Sequence, residues 1–99
     1  MAKKKKAKPA ETKIKRRRVT LNLEAPHAEA VVLMGDFNQW NETVHPMKKE
    51  ANGRWKKIIM IPPGIYEYRF LVDGQWWNDP ANEQICSNSF GTINNVLEV

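Results

Sequence analysis

The stretch IYEYRFLVDG (residues 65–74) decides the fold, because it alternates two kinds of side chain and then stops at a turn. Every second residue from Tyr66 to Val72 is apolar, whereas Glu67 and Arg69 occupy positions between them. On an extended backbone this alternation places one set of side chains on an inward face and the other on an outward face. Turn signals bound the stretch on both sides, PPG before it and DG after it. The pattern predicts a half-buried antiparallel strand.

The same two-residue period recurs on either side of this strand. Residues 18–24 place Val19, Leu21 and Leu23 on one face, and Trp55, Lys57, Ile59 and Ile61 share a face of the segment 55–61. Further strands are predicted at residues 30–34, 44–49 and 92–99, with an irregular stretch at residues 75–90. No segment keeps a 3.6-residue period, so no helix is predicted. The sequence therefore predicts an all-β fold, an antiparallel immunoglobulin-like β-sandwich of six to eight short strands.

Charge divides the chain into two regions. Residues 1–18 hold ten of the 16 Lys and Arg but one acid, which gives +9, whereas residues 19–99 hold six basic and ten acidic residues, which gives −4. We expect residues 1–18 to be a disordered basic tail and residues 19–99 to be one folded domain. Such a tail could contact an acidic surface or nucleic acid non-specifically. The acidic domain disfavours nucleic acid as the main ligand.

Cysteine usage and hydropathy indicate a compartment. The single cysteine, Cys86, excludes an intramolecular disulfide framework and fits a reducing environment. No apolar run reaches the length of a transmembrane segment, and no apolar region follows the N-terminal lysines as in a secretory signal. A cytoplasmic protein is therefore expected.

Three of the four tryptophans lie where core residues are not expected. Trp40 ends a polar loop, and Trp76 and Trp77 are adjacent, so on an extended chain they cannot enter the same core. Several amide side chains could converge with them: Asn38, Asn41, Gln75, Asn78, Asn94 and Asn95. Each tryptophan could instead cover an end of the sandwich, because Trp is often largely but not fully buried.

Flat aromatic rings beside neutral amides favour a sugar as the ligand. One face of a glucose ring presents C–H groups that pack on an indole, and its hydroxyls require both donors and acceptors, which amides supply. Nucleobases also stack on aromatic rings. However, Arg69 is the only Lys or Arg between Lys57 and Val99, so a basic groove for phosphates is not predicted.

Four motifs in order resemble a known family. GDFNQW (35–40), PGIYEYRFLVDGQW (63–76), DP (79–80) and FGTINN (90–95) resemble the glycogen-binding domain of the AMP-activated protein kinase β subunit. More broadly they resemble carbohydrate-binding module family 48, the isoamylase N-terminal (early-set) domain. The resemblance covers residues 19–99. It implies a non-catalytic module that binds α-1,4-linked glucans such as glycogen, starch or maltooligosaccharides, and that can accompany a glycogen-metabolism enzyme.

The resemblance also implies a set of carbohydrate-binding residues. Trp40 and Trp76 match two tryptophans that stack on glucose units, and Arg69 replaces a lysine that hydrogen-bonds the sugar. Phe90 matches a leucine around which the glucan wraps, Asn94 matches an asparagine that contacts hydroxyls, and Thr92 is its neighbour. Trp77 departs from the family pattern; it could either widen the platform or cover the core.

Two other functions compete with sugar binding. A protein-interaction module could keep the fold and dock a carbohydrate-metabolism enzyme or kinase without binding sugar. A glycosidase would need two carboxylates across the scissile bond. The acidic residues available, Asp36, Glu42, Asp73 and Asp79, fall in turns where such residues bond locally. His27, His45 and Cys86 lack partners at metal-ligand or catalytic spacing, so no enzyme, metal or cofactor is predicted.

Overall fold

The protein is an all-β sandwich in a computed structural model that describes residues 15–99. The predicted disordered tail lies largely outside these residues. The eight strands are β1 (Arg17–Glu24), β2 (Val31–Gly35), β3 (Lys48–Lys49), β4 (Arg54–Ile61), β5 (Ile65–Val72), β6 (Gln75–Trp77), β7 (Ile85–Ser87) and β8 (Ile93–Glu98). The described residues contain no α-helix, only a 3₁₀ turn at Asp36–Asn38, and no helix that could cross a bilayer. The predicted fold class is confirmed.

The strands form two antiparallel sheets. The three-stranded sheet has the order β1-β4-β3, and the five-stranded sheet has the order β2-β5-β8-β7, with β6 also paired to β5. The strand that decided the prediction, β5, is central: its residues pair with Val31–Gly35 on one side and with residues 95–98 of β8 on the other. The outer face of β5 therefore has neighbours on both sides, which allows a site to be built across it.

The core lies between the two sheets and follows the two-residue period. Tyr68 and Phe70 on β5 are almost completely buried, and Trp55 is buried on β4 with Ile59 and Ile61. Trp55 Nε1 donates to the carbonyl of Ala25, so burial leaves its polar atom satisfied. These placements confirm the predicted inward faces of β4 and β5. Tyr66, also predicted inward, is only partly buried and packs at the margin of this cluster.

A polar network fills one end of the core on the same inner face. Asn95, fully buried, accepts from the backbone N–H of Asp79 at 2.7 Å and donates to the carbonyls of Asp79 and Asn82. Tyr68 donates its hydroxyl to Asp79 Oδ2 at 2.7 Å. Burial, together with the Asp79 carboxylate, raises the pKa of Tyr68, so the phenol stays protonated. The network ties the segment after β6 to β5 and β8.

Several boundaries differ from the sequence prediction. The stretch 75–90, predicted as irregular, contains β6 and β7, and the strand predicted at 44–49 is reduced to Lys48–Lys49 plus a bridge between Val32 and Pro46. Strand β1 begins at Arg17. Strands of two or three residues are too short to show a period, so only pairing with a neighbour defines them.

Candidate functional site

An open groove of about 510 Å³ crosses the outer face of the five-stranded sheet. Three segments distant in sequence meet there: the loop after β2, the β5–β6 hairpin, and the turn that leads into β8. Its lining residues are Asp36, Trp40, Glu67, Arg69, Trp76, Asn88, Phe90, Thr92 and Asn94. Aromatic rings thus form the sides of the groove, and polar side chains of β5 and β8 form its base.

Trp40 is held in place by a tight turn. Gln39 and Trp40 both adopt left-handed backbone conformations, with φ of 55° and 56°, which are unusual for residues other than glycine. The buried Asn38 offsets this strain, because its Oδ1 accepts from the backbone N–H groups of Gly35 and Trp40. Asp36 Oδ1 then accepts from Trp40 Nε1 at 3.0 Å. The orientation of the indole is therefore set before any ligand arrives.

Asn38 also connects this turn to His45. Its Nδ2 donates to the Leu33 carbonyl and lies 2.8 Å from His45 Nδ1. Because the two bonds to Oδ1 fix which side of the amide is the donor, His45 Nδ1 must be the acceptor and therefore unprotonated. Burial, and secondarily the charge of Lys57, lower the pKa of His45, which favours this neutral form.

Trp76 and Arg69 form the middle of the groove. Trp76 lies on β6 opposite Leu71, so its side chain shares the outer face with Arg69. The guanidinium carbon of Arg69 is 4.7 Å from the Trp76 ring centroid, a cation–π contact. The Trp40 and Trp76 rings meet edge to face, with centroids 6.0 Å apart and planes inclined at 67°. The two indoles thus form an angled platform rather than a flat one.

Phe90 projects from a turn organised by Asn88. Asn88 Oδ1 accepts from the backbone N–H groups of Phe90 and Thr92, and its Nδ2 donates to Thr92 Oγ1 at 2.6 Å. Gly91 takes the left-handed conformation that the turn requires. As a result the Phe90 side chain is 88% exposed, although folding normally buries so large an apolar group. Its position at the groove favours a ligand contact.

Two polar atoms beside the groove lack partners. Asn94 donates through Nδ2 to Glu67 Oε1 at 2.9 Å, but its Oδ1 is buried without a hydrogen bond. Arg69 Nε is likewise buried and unpaired, and these are the two such side-chain atoms in residues 15–99. One is an acceptor and the other is a donor. An unpaired buried polar atom costs free energy unless a partner arrives.

The structure brings together six of the seven predicted sugar-binding residues: Trp40, Arg69, Trp76, Phe90, Thr92 and Asn94. Trp77 lies elsewhere. It pairs with Phe70, so it points to the inner side of the sheet, where it is 41% exposed beside Pro26, His27 and Ala28. Of its two predicted roles, this position fits the one in which it covers the edge of the core.

Fewer asparagine and glutamine side chains meet at the groove than the sequence predicted. Only Asn94 of the six candidates lines the groove; Asn38 and Asn95 are buried in structural hydrogen bonds, and Asn78 donates to the carbonyl of Ile93. Sequence reasoning missed Asn88, Asp36 and Glu67 as groove residues. The Asn-Ser-Phe-Gly sequence of the turn is a usable signal for Asn88, because Asn often bonds its own backbone two residues on.

The loop carboxylates form the predicted local hydrogen bonds only in part: Asp79 Oδ1 accepts from the Ala81 N–H and Asp36 Oδ1 from Trp40 Nε1. Their other bonds, and those of Asp73, join segments that are distant in sequence. Asp36 Oδ2 accepts from the Glu67 N–H, Asp73 accepts from the N–H groups of Glu29 and Ala30, and Asp79 accepts from Tyr68. Partial burial and the neighbouring Glu67 raise the pKa of Cys86, which disfavours a reactive thiolate. No group of three or more His, Cys, Asp or Glu within residues 15–99 could hold a metal ion.

Comparison with known proteins identifies the family of the chain. Residues 18–99 match the model of the family described as the glycogen recognition site of AMP-activated protein kinase. The chain is also 39% identical over 69 residues to 5'-AMP-activated protein kinase subunit beta-1 of Sus scrofa and of Homo sapiens, and to subunit beta-2 of Mus musculus. The alignment covers 70% of this chain. It covers 53% of the Sus scrofa sequence and 24% of the other two, so the chain spans only part of these relatives.

Proposed function

The chain belongs to the family of the glycogen recognition site of AMP-activated protein kinase, and from this premise we propose that it is a non-catalytic module that binds α-1,4-linked glucans. The expected ligands are glycogen, starch-type polymers and maltooligosaccharides. The observation that carries the proposal is the groove itself, in which Trp40, Trp76 and the exposed Phe90 converge around polar side chains.

The inclined indoles favour a curved glucan. Trp40 and Trp76 lie close enough to contact neighbouring glucose units, but their planes differ by 67°. A flat β-1,4-linked chain would need nearly coplanar rings to stack on both. Successive units of an α-1,4-linked chain turn relative to each other, so each unit can follow its own indole. Phe90, which also lines the groove, would fill the inside of that curve.

The polar base of the groove suits hydroxyl groups. A sugar hydroxyl donates one hydrogen bond and accepts others, so it can serve both Asn94 Oδ1 and the Arg69 guanidinium. Both atoms are shielded from water in the free chain, and a small movement of the Arg69 side chain on binding would open them to the ligand. Asn88 and Thr92 already bond each other and contribute mainly by positioning Phe90.

A non-catalytic role is part of the proposal. The Asp36, Asp73 and Asp79 carboxylates are each engaged with backbone or side-chain donors that stabilise turns. Glycoside hydrolysis requires two carboxylates placed across the scissile bond. The two that line the groove are both engaged in hydrogen bonds: Asp36 accepts from Trp40 Nε1 and the Glu67 N–H, and Glu67 Oε1 accepts from Asn94 Nδ2. A cytoplasmic location stays a prediction.

The direct test is a titration with maltoheptaose followed by tryptophan fluorescence. Sugar binding should quench or shift the emission, because Trp40 and Trp76 line the groove, whereas a cello-oligosaccharide of similar length should have little effect. Trp40→Ala and Trp76→Ala should each abolish retardation in a glycogen-containing native gel while the domain stays folded. Unchanged retardation in both variants would exclude this site.

The same titration separates the second candidate function. The relatives are named as subunits of a kinase, which favours a docking module as the alternative. Under that reading maltoheptaose leaves the fluorescence unchanged, and a carbohydrate-metabolism enzyme or kinase is retained by the folded domain without sugar.

A further inference from the structure

The two sheets carry opposite charge. Of the ten Lys and Arg within residues 15–99, nine lie on the three-stranded sheet or in the two residues before β1; the exception is Arg69. Among the acidic residues, only Glu24 and Glu50 belong to this sheet and its β3–β4 turn. The five-stranded sheet and its loops hold the other eight. The glucan groove and the basic surface are therefore on opposite sides of the molecule.

Strand β4 has an open edge at the centre of this basic region. β1 pairs with all eight residues of β4, but β3 pairs only with Trp55 and Lys56. The chain before β3 leaves the sheet, because Pro46 bridges to Val32 of the other sheet. From residue 57 to residue 61, no other described strand lies along the second edge of β4.

The hydrogen bonds near the start of β4 show which groups face this edge. The Gly53 carbonyl accepts from Ala25 on the β1 side, whereas the Arg54 carbonyl accepts from Glu50 on the β3 side. Backbone groups alternate along a strand, so those of Ile58 and Met60 point to the open edge. The Met60 carbonyl lies 3.4 Å from Arg16 Nη1, a long and exposed contact.

Lysines border a groove of about 330 Å³ beside this edge. Its lining includes Ile58 and four lysines: Lys48, Lys49, Lys56 and Lys57. Lys49 donates to the Pro26 carbonyl, and Lys56 Nζ lies 4.0 Å from Glu50 Oε2 in an ion pair. Lys48 and Lys57 form no ion pair within residues 15–99. Two ammonium groups are thus available for an incoming anion.

We propose that this edge binds an extended acidic segment of a partner protein by strand addition. The backbone of the segment would pair with Ile58 and Met60. Lys48 pairs with Lys56, so Lys48 and Lys57 lie on opposite faces of the sheet, and the segment would present one carboxylate on each face to meet them. Apolar residues of the segment would cover Ile58 and Met60, which are 37% and 52% exposed. Residues 1–14 carry six lysines and one glutamate, so like charge disfavours them as the occupant.

An oligonucleotide fits this surface less well. Trp55, the aromatic residue of the three-stranded sheet, is buried, so the surface offers no ring on which a base could stack. The open backbone edge can hydrogen-bond the main chain of a peptide, and the flanking lysines can pair with its carboxylates. Since the glucan groove lies on the other sheet, the module could hold a glucan and a partner segment together.

The proposal is tested on the full chain with a labelled peptide that carries valines on the face of Ile58 and Met60 and glutamates on both faces. Fluorescence anisotropy should report saturable binding. The K48E/K57E double variant should weaken it by about tenfold or more, because two attractive contacts become repulsive. R17E/R18E reverses the same number of charges on β1, across β4 from this edge, and should change the affinity by clearly less. Maltoheptaose should not displace the peptide.

Hydrogen exchange distinguishes strand addition from simple charge attraction. The peptide should slow exchange of the Ile58 and Met60 amides, whereas the Lys57 and Ile59 amides, which point to β1, should change little. A peptide of the same charge with alternate amides N-methylated should lose this protection. Natural edge strands also carry lysines merely to prevent aggregation. Equal binding of the two peptides, no binding, or tighter lysine-dependent binding of an oligonucleotide or anionic vesicle would overturn the proposal.

Discussion

Asn94 and Asn95 are adjacent on β8, but they lie on opposite faces of the five-stranded sheet and differ in how well they are hydrogen bonded. Asn95 has partners for both ends of its amide within the core network. Asn94 lines the outer groove and leaves its buried Oδ1 unpaired. The two tryptophans of β6 are likewise adjacent but on opposite faces, with Trp76 in the groove and Trp77 on the inner side. A satisfied inner face stabilises the fold, whereas the incompletely satisfied outer face is the face on which we propose the glucan site.

The largest effect should come from the inner face. Asn95→Ala removes several hydrogen bonds and leaves the N–H of Asp79 buried without its acceptor, so the free energy of unfolding should fall by about 3 kcal/mol. Urea denaturation measures this loss. The adjacent control, Asn94→Ala, should lower stability by less than about 1 kcal/mol. Equal losses of unfolding free energy in the two variants would contradict the difference in hydrogen bonding between the two faces.

The next effect concerns the two tryptophans. Trp76→Ala should weaken maltoheptaose binding by about 2 kcal/mol, or roughly 30-fold, because the stacking surface is lost. Trp77→Ala should leave the affinity within about twofold, since its ring points away from the groove. Isothermal titration of both variants measures the difference. Comparable losses of affinity would place Trp77 in the binding surface after all.

A smaller effect is expected at the unpaired acceptor. Asn94→Ala should reduce glucan affinity by about 1 kcal/mol, the usual value of one hydrogen bond. NMR shift titration with maltoheptaose gives the affinity and shows whether the site stays intact. If Asn94→Ala binds as tightly as the wild type, the unpaired Oδ1 is not a sugar contact.

The smallest effect links pH to the turn that holds Trp40. Because the pKa of His45 is lowered in the folded state, its contribution to stability is complete above the unfolded pKa of about 6.5 and is lost as pH falls toward the lower folded value. Protonation would also replace the acceptor that faces Asn38. Unfolding experiments at neutral and mildly acidic pH should show a loss that is reduced in His45→Gln. His27→Gln, a substitution of the exposed histidine outside this turn, is the control variant.

Much of the candidate site was predictable from the sequence. The residue types and motif order pointed to Trp40, Trp76, Arg69, Phe90, Thr92 and Asn94, and the structure places these six around one groove. The side-chain amides were harder to assign, because an asparagine can hydrogen-bond the backbone or a ligand equally well. Asn38 and Asn95 serve the fold, as their burial shows. The short strands β6 and β7 escaped prediction because they are too short to show a period.

The sequence by itself determined the sandwich, since a two-residue alternation over β1, β4 and β5 allows one face of each strand to be buried and no other regular structure satisfies it. It also determined that Trp76 and Trp77 must separate. The family resemblance pointed to Trp76 as the partner of Trp40, but the alternation alone does not choose between the two tryptophans, and the tertiary structure does. That choice depends on the register of β6 against β5, where Trp76 pairs with Leu71 on the outer face and Trp77 with the buried Phe70. Such a register is set by contacts between distant segments, which local patterns do not encode.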